Sequence, residues 1–120
     1  MTTITGVRID AGVDEKIQHV HLDGRNLLHA LYDTLSCDTI ETAALRGGLD
    51  AIFDEEGKIR GAEPNHHATT VALLLGARFL PGDYLAGPVI FLGVTEDGDH
   101  VAPTPTQHRA ILRAIVVARA

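Results

Sequence analysis

The chain has 120 residues, 45% hydrophobic and 22% charged, enough for about one globular domain with a single core. Aromatics make up only 4% and Trp is absent, so that core is expected to be built from Leu, Ile, Val and Ala. A net charge of -6 argues against nucleic acid and anionic membranes, which need clustered Lys and Arg, and the single Cys37 excludes an internal disulfide framework.

The first residues lack the basic segment and long apolar run of a signal peptide. The longest apolar run, 71–75, is far short of the ~20 residues that cross a bilayer. With a reduced cysteine, this predicts a cytoplasmic protein.

Residues 3–10 alternate, with Ile4, Val7 and Ile9 apolar, and predict a first strand. Ala11-Gly12-Val13-Asp14 reads as a turn into a second strand at 16–22, with Val20 and Leu22 on one face and His19 and His21 on the other. Asp23 is a good N-cap for a helix whose face carries Leu27, Leu28, Leu31 and Leu35. Further strands are expected at 38–45 and 49–54, joined through Arg46-Gly47-Gly48, and a short one at 59–62 after the acidic turn at 55–58. Asn65 caps a second helix over 66–75 that Gly76 ends. The run 89–94 is almost wholly apolar and reads as a central strand buried on both faces. Thr104-Pro105-Thr106-Gln107 has the form of a capping box with Pro at the first helical position, so a third helix runs from there to about Arg119.

Hairpins with helices between them predict an α+β fold: a mostly antiparallel sheet covered by helices on one face. Residues 1–103 form the domain, and 104–120 a C-terminal helix packed on it or extending it. The expected core includes Leu28, Leu31, Leu74, Ile90, Leu92, Leu112 and Ile115.

The chemistry-bearing groups are few. His19 and His21, two apart on a strand, share a face and present two metal-ligating rings, but that is also where alternation puts exposed polar residues. A third ligand would have to come from His66, His67, Asp54 or Glu56, whose spacing fixes no such partnership. No tightly bound zinc and no cofactor is expected. His66 and His67 lie in the first turn of a helix, beside backbone N–H groups that suit an anion or polar ligand. Protonated His is disfavoured there. Asp54, Glu55 and Glu56 supply carboxylates for Mg²⁺, Ca²⁺ or acid–base work, though an acidic turn closed by Gly57 has the same composition. Asp97 and Asp99 flank Gly98 in another polar turn. Gly82, Gly87 and Gly93 match neither a P-loop nor a dinucleotide fingerprint, and no Ser sits in a nucleophile elbow. Nothing here predicts an enzyme.

In order along the chain, Asp54-Glu55-Glu56-Gly57-Lys58, then Pro64-Asn65 with Ala68-Thr69, then Gly82-Asp83 leading to Gly87-Pro88-Val89-Ile90-Phe91-Leu92-Gly93, resemble a family of DUF3846-like domains of unknown function. The likeness covers most of residues 3–100, with the last helix reading as an addition. Such domains are frequent in bacteriophage genomes and other mobile elements, and the family carries no activity to transfer. The resemblance implies a phage or plasmid accessory protein that acts in the cytoplasm of a bacterial host, where it binds and modulates a host or phage protein.

Two functions are therefore expected in order. The first is a non-enzymatic binding module with a protein partner, and neither nucleic acid nor membrane. The second is a small-molecule or metal-binding domain using Asn65, His66 and His67 with the turn at Asp54, Glu55 and Glu56. The last helix, locally basic through Arg109, Arg113 and Arg119 and carrying in Ile111, Leu112, Ile115, Val116 and Val117 more apolar surface than one narrow stripe requires, adds the expectation of a homodimer.

Overall fold

Alternating residues make β1 (Thr3–Ile9) a two-faced strand: Ile4, Gly6 and Arg8 point to one side of the sheet, Thr5, Val7 and Ile9 to the other. In the computed structural model, which describes residues 2–12 and 16–119, β1 pairs antiparallel with β2 (Ile17–Asp23) in the register Val7 opposite His19. The turn expected between them falls in part on Val13 and Asp14, outside the described residues.

Asp23 caps a single 3₁₀ turn, accepting from the Arg25 amide at 2.9 Å, and the helix α1 (Leu27–Leu35) begins only after it. Strands β3 (Ile40–Ala44) and β4 (Leu49–Asp54) form the second hairpin. Helix α2 (His66–Leu74) starts at Asn65, as expected. Next come β5 (Val89–Val94), the two-residue β6 (His100–Val101) and α3 (Pro105–Arg119). Thr104 and Gln107 make both bonds of the capping box, at 2.9 and 3.1 Å.

All strand pairs are antiparallel, in the order β2-β1-β5-β4-β3, with β6 also paired to β5. The fold is α+β, as expected. β5 is central and fully apolar because both its faces are covered. Val89 and Phe91 enter a core with Val7, Ile9, Leu49, Ala51, α2 and α3. Ile90 and Leu92 enter a second core with Ile4, Leu22, Ile52 and Leu31 and Leu35 of α1. Helical cover on one face thus holds for α2 and α3, while α1 takes the opposite face, a placement that the bifacial apolar run of β5 requires.

Three expected core residues lie elsewhere. Leu28 is 52% exposed, because α1 turns its Leu27, Leu31 and Leu35 row, spaced by four, to the sheet. Leu74 is 40% exposed, because α2 buries Ala68, Val71, Ala72 and Leu75 instead. Leu112 is also 40% exposed, one residue round from the buried Ile111, Ala114 and Ile115. The strand expected at 59–62 is absent: residues 55–61 form consecutive turns, closed by the Arg60 amide on Glu56 O at 3.0 Å and the Ala62 amide on Gly57 O at 2.8 Å. Local hydrogen bonds satisfy that backbone, so it has no need of a strand partner.

Candidate functional site

β3 ends the sheet. Among the described residues it pairs with β4 alone, so its outer edge carries backbone groups without a strand partner there. On the face shared with α2 and α3, Ala43 and Phe53 continue the apolar floor outward from the core. Two loops rise around that floor: the turns at 55–61 and the segment 76–86 that follows α2. Together they enclose an open groove of about 720 Å³, floored by Ala43, Phe53, Phe79, Leu85 and Ala86.

Asn65 holds one wall of this groove in place. Its side chain, 1% exposed, donates from Nδ2 to Ile9 O at 2.9 Å and Gly87 O at 2.8 Å, while Oδ1 accepts from the Ala68 amide at 3.0 Å. Two carbonyls need a donor and one amide needs an acceptor, which only a carboxamide satisfies at a single position. Its own amide donates to Leu85 O, and the buried Thr69 hydroxyl accepts from the Leu85 amide at 2.9 Å. On the facing side Gly57 is buried where a Cβ would stand 3.2 Å from Ala86 O, so the two loops touch through a residue without a side chain.

At the rim, Lys58 forms an ion pair with Asp83 and lies 4.7 Å from the centroid of the Tyr84 ring. The hydrogen bond from Lys58, with a second from the Tyr84 amide at 2.8 Å, holds the Asp83 carboxyl below its usual range. Asp54 pairs with Arg60. Glu41, Glu55 and Arg78 line the groove without an ion pair among the described residues. The lining thus offers aromatic surface, fixed charges and an open strand edge, groups that hold a ligand by contact and hydrogen bonding.

The expected site residues are not gathered in one place. Asp54 and Glu55 line the groove, whereas Asn65, His66 and His67 do not. Asn65 has a structural task, His66 is exposed, and His67 is 4% exposed on the buried side of α2. Glu56 accepts from the Thr39 hydroxyl at 3.4 Å. Arg109 and Arg113 are exposed on α3, where Arg109 donates to the Thr106 hydroxyl at 3.3 Å. His19 and His21 do share a face, but their partners differ: His21 Nδ1 meets Thr5 Oγ1 at 3.1 Å, and His19 Nε2 meets His108 Nε2 at 2.9 Å. Burial pushes the half-buried Cys37 thiol up, against the activation a nucleophile needs. Sequence reasoning placed neither Tyr84 nor Phe79 at a site, and it quoted Lys58 and Asp83 only within separate motifs. Their opposite charges were a signal; that the two segments face one another was not visible in one dimension.

The family described as Domain of unknown function (DUF3846) matches residues 4–115, well into α3 and past the 3–100 that the sequence resemblance reached. No curated protein and no solved structure matches the chain. No helix among the described residues is long and apolar enough to cross a membrane.

Proposed function

We propose, for a chain that belongs to the DUF3846 family, a non-catalytic role as an accessory protein of a bacteriophage or mobile element that binds a host or phage protein. The setting rests on the sequence resemblance alone. The binding mode rests on one observation: the open β3 edge runs beside an apolar groove with aromatic and charged walls. An extended segment of a partner would add a strand to β3, matching its free N–H and C=O groups. Alternate side chains of that segment would enter the groove against Phe53, Phe79 and Tyr84. Glu41 and Glu55, without an ion pair among the described residues, favour a basic residue in the bound segment.

Selection of a displayed peptide library, followed by hydrogen exchange on the complex, tests this reading. Slowed exchange at 40–44 and lost binding in Tyr84→Ala support it. Exchange unchanged at β3, or peptides that bind Tyr84→Ala equally well, would overturn it.

A second reading, a small-molecule site in the same groove, is favoured by its volume, which falls within the roughly 300–1,000 Å³ of ligand pockets. In that case a small ligand would broaden resonances of Phe79 and Tyr84 and leave β3 exchange unchanged. The homodimer is proposed through α3, whose outer side exposes Leu112, Val116 and Val117 beside Arg109 and Arg113. A clean monomer mass by light scattering at micromolar concentration would exclude it.

A further inference from the structure

The sheet face that carries α3 brings together two imidazoles far apart in the chain. Val7 in β1 sits opposite His19 in β2, which directs His19 to the α3 side of the sheet. His108 lies in the first turn of α3, one turn before the buried Ile111 that anchors the helix on the core. The two Nε2 atoms stand 2.9 Å apart. The ring planes are 25° from parallel with centroids 5.1 Å apart, so with the nitrogens this close the rings meet tip to tip rather than face to face.

Two lone-pair-bearing nitrogens aimed at one point can share one proton or one metal ion. In the first case one ring donates an N–H and the other accepts. In the second, both rings are neutral at Nε2 and an ion sits between them. A tetrahedral zinc ion, with Zn–N of about 2.0–2.1 Å, separates its nitrogens by about 3.3 Å. The observed gap is a few tenths of an ångström short of that, and the tip-to-tip rings must tilt to aim both lone pairs at one ion, which side-chain rotation of the exposed His19 and the half-buried His108 supplies.

We propose that His19 and His108 form a two-imidazole chelate for a divalent transition ion of the zinc class, tying the start of α3 to β2. Imidazole suits zinc, nickel and copper, and leaves magnesium and calcium to oxygen ligands. Among the described residues no group of three His, Cys, Asp or Glu is placed to hold a metal. Water therefore fills the remaining positions, and the ion exchanges instead of forming part of the folded core. The site differs from the His19 and His21 pairing that strand alternation suggests: His21 is engaged with Thr5, and the second ligand comes from a helix 89 residues further along.

The test uses tag-free full-length protein and zinc chloride alone, read as the thermal unfolding midpoint. An ion that binds only the folded chain raises the midpoint, here by roughly 5 °C once zinc is about ten times its dissociation constant. Magnesium chloride gives no rise. His19→Gln and His108→Gln each abolish the zinc effect, and His21→Gln retains it. No rise in the unmodified protein, or an equal rise in the His19 and His108 variants, overturns the proposal. A second measurement needs no variant: trace copper(II) should broaden the imidazole resonances of His19 and His108 before those of His21, His29 and His66. Broadening that starts at any of the latter three also overturns it.

Discussion

Asn65→Asp separates two roles that one side chain combines. Asp is as good an N-cap as Asn, so a residue that only capped α2 would tolerate the change. Asn65 also donates from Nδ2 to Ile9 O and Gly87 O, at 2.9 and 2.8 Å, and a carboxylate has no donor for either. Two buried carbonyls then lose their partner and face like partial charge, at about 1–3 kcal/mol each, or about 2–6 kcal/mol together. A domain of this size has a total stability of about 5–15 kcal/mol, so the change removes a large share of it. Asn65→Ala loses the cap as well, for about 1 kcal/mol more. With a urea slope of about 2 kcal/mol/M, the Asp variant should move the midpoint down by roughly 1–3 M. A midpoint within experimental scatter of the unmodified protein would refute the reasoning and reduce Asn65 to a cap.

Leu31→Ala, at a site 2% exposed between α1 and the sheet, should cost about 2–5 kcal/mol by denaturant unfolding. A much smaller loss would show that α1 is peripheral to its core. For Asp83 the folded carboxyl is held below its usual range, chiefly by the hydrogen bond from Lys58, so the pair adds stability above the ordinary carboxylate pKa of about 3.9. That contribution is lost as pH falls through the lower folded value. Carboxyl carbon NMR should show Asp83 titrating below the ordinary aspartate value, and Lys58→Met should raise its midpoint. Ordinary titration in the unmodified protein would mean the pair does not persist in solution.

Where one local interaction sets the structure, the residues declare it. Thr104 with Gln107, Asn65 before α2 and the apolar run of β5 all fold as their sequence predicts. Leu28, Leu74 and Leu112 show the limit: periodicity gives a helix an apolar side but not the row that meets the sheet. The segment 59–62 misleads for a related reason. Ile59 suggests a strand, but it is 84% exposed, because the backbone closes on itself through Gly57 and Gly61. The groove was half legible, since Asp54 and Glu55 were candidates and line it. Its other wall comes from 76–86, and only the docking of that loop against Gly57 and Asn65 brings Lys58 to Asp83. The His19 and His108 contact depends on tertiary packing of the same kind.

The central position of β5 also governs how the chain can assemble during synthesis. Both cores contain residues of β5, and β1 reaches β4 only through it. The β1–β2 and β3–β4 hairpins close over short loops, but about 80 residues separate β1 from its β5 partner. At about 5–20 residues per second, the first strand waits roughly 4–16 s before that partner has been made. Until then Val7, Ile9 and Ile52 lack the strand neighbour that completes their cores, and the nascent hairpins are exposed to chaperones or to one another. A chain stopped before residue 89 should therefore accumulate as an aggregation-prone fragment, however sound its hairpins are.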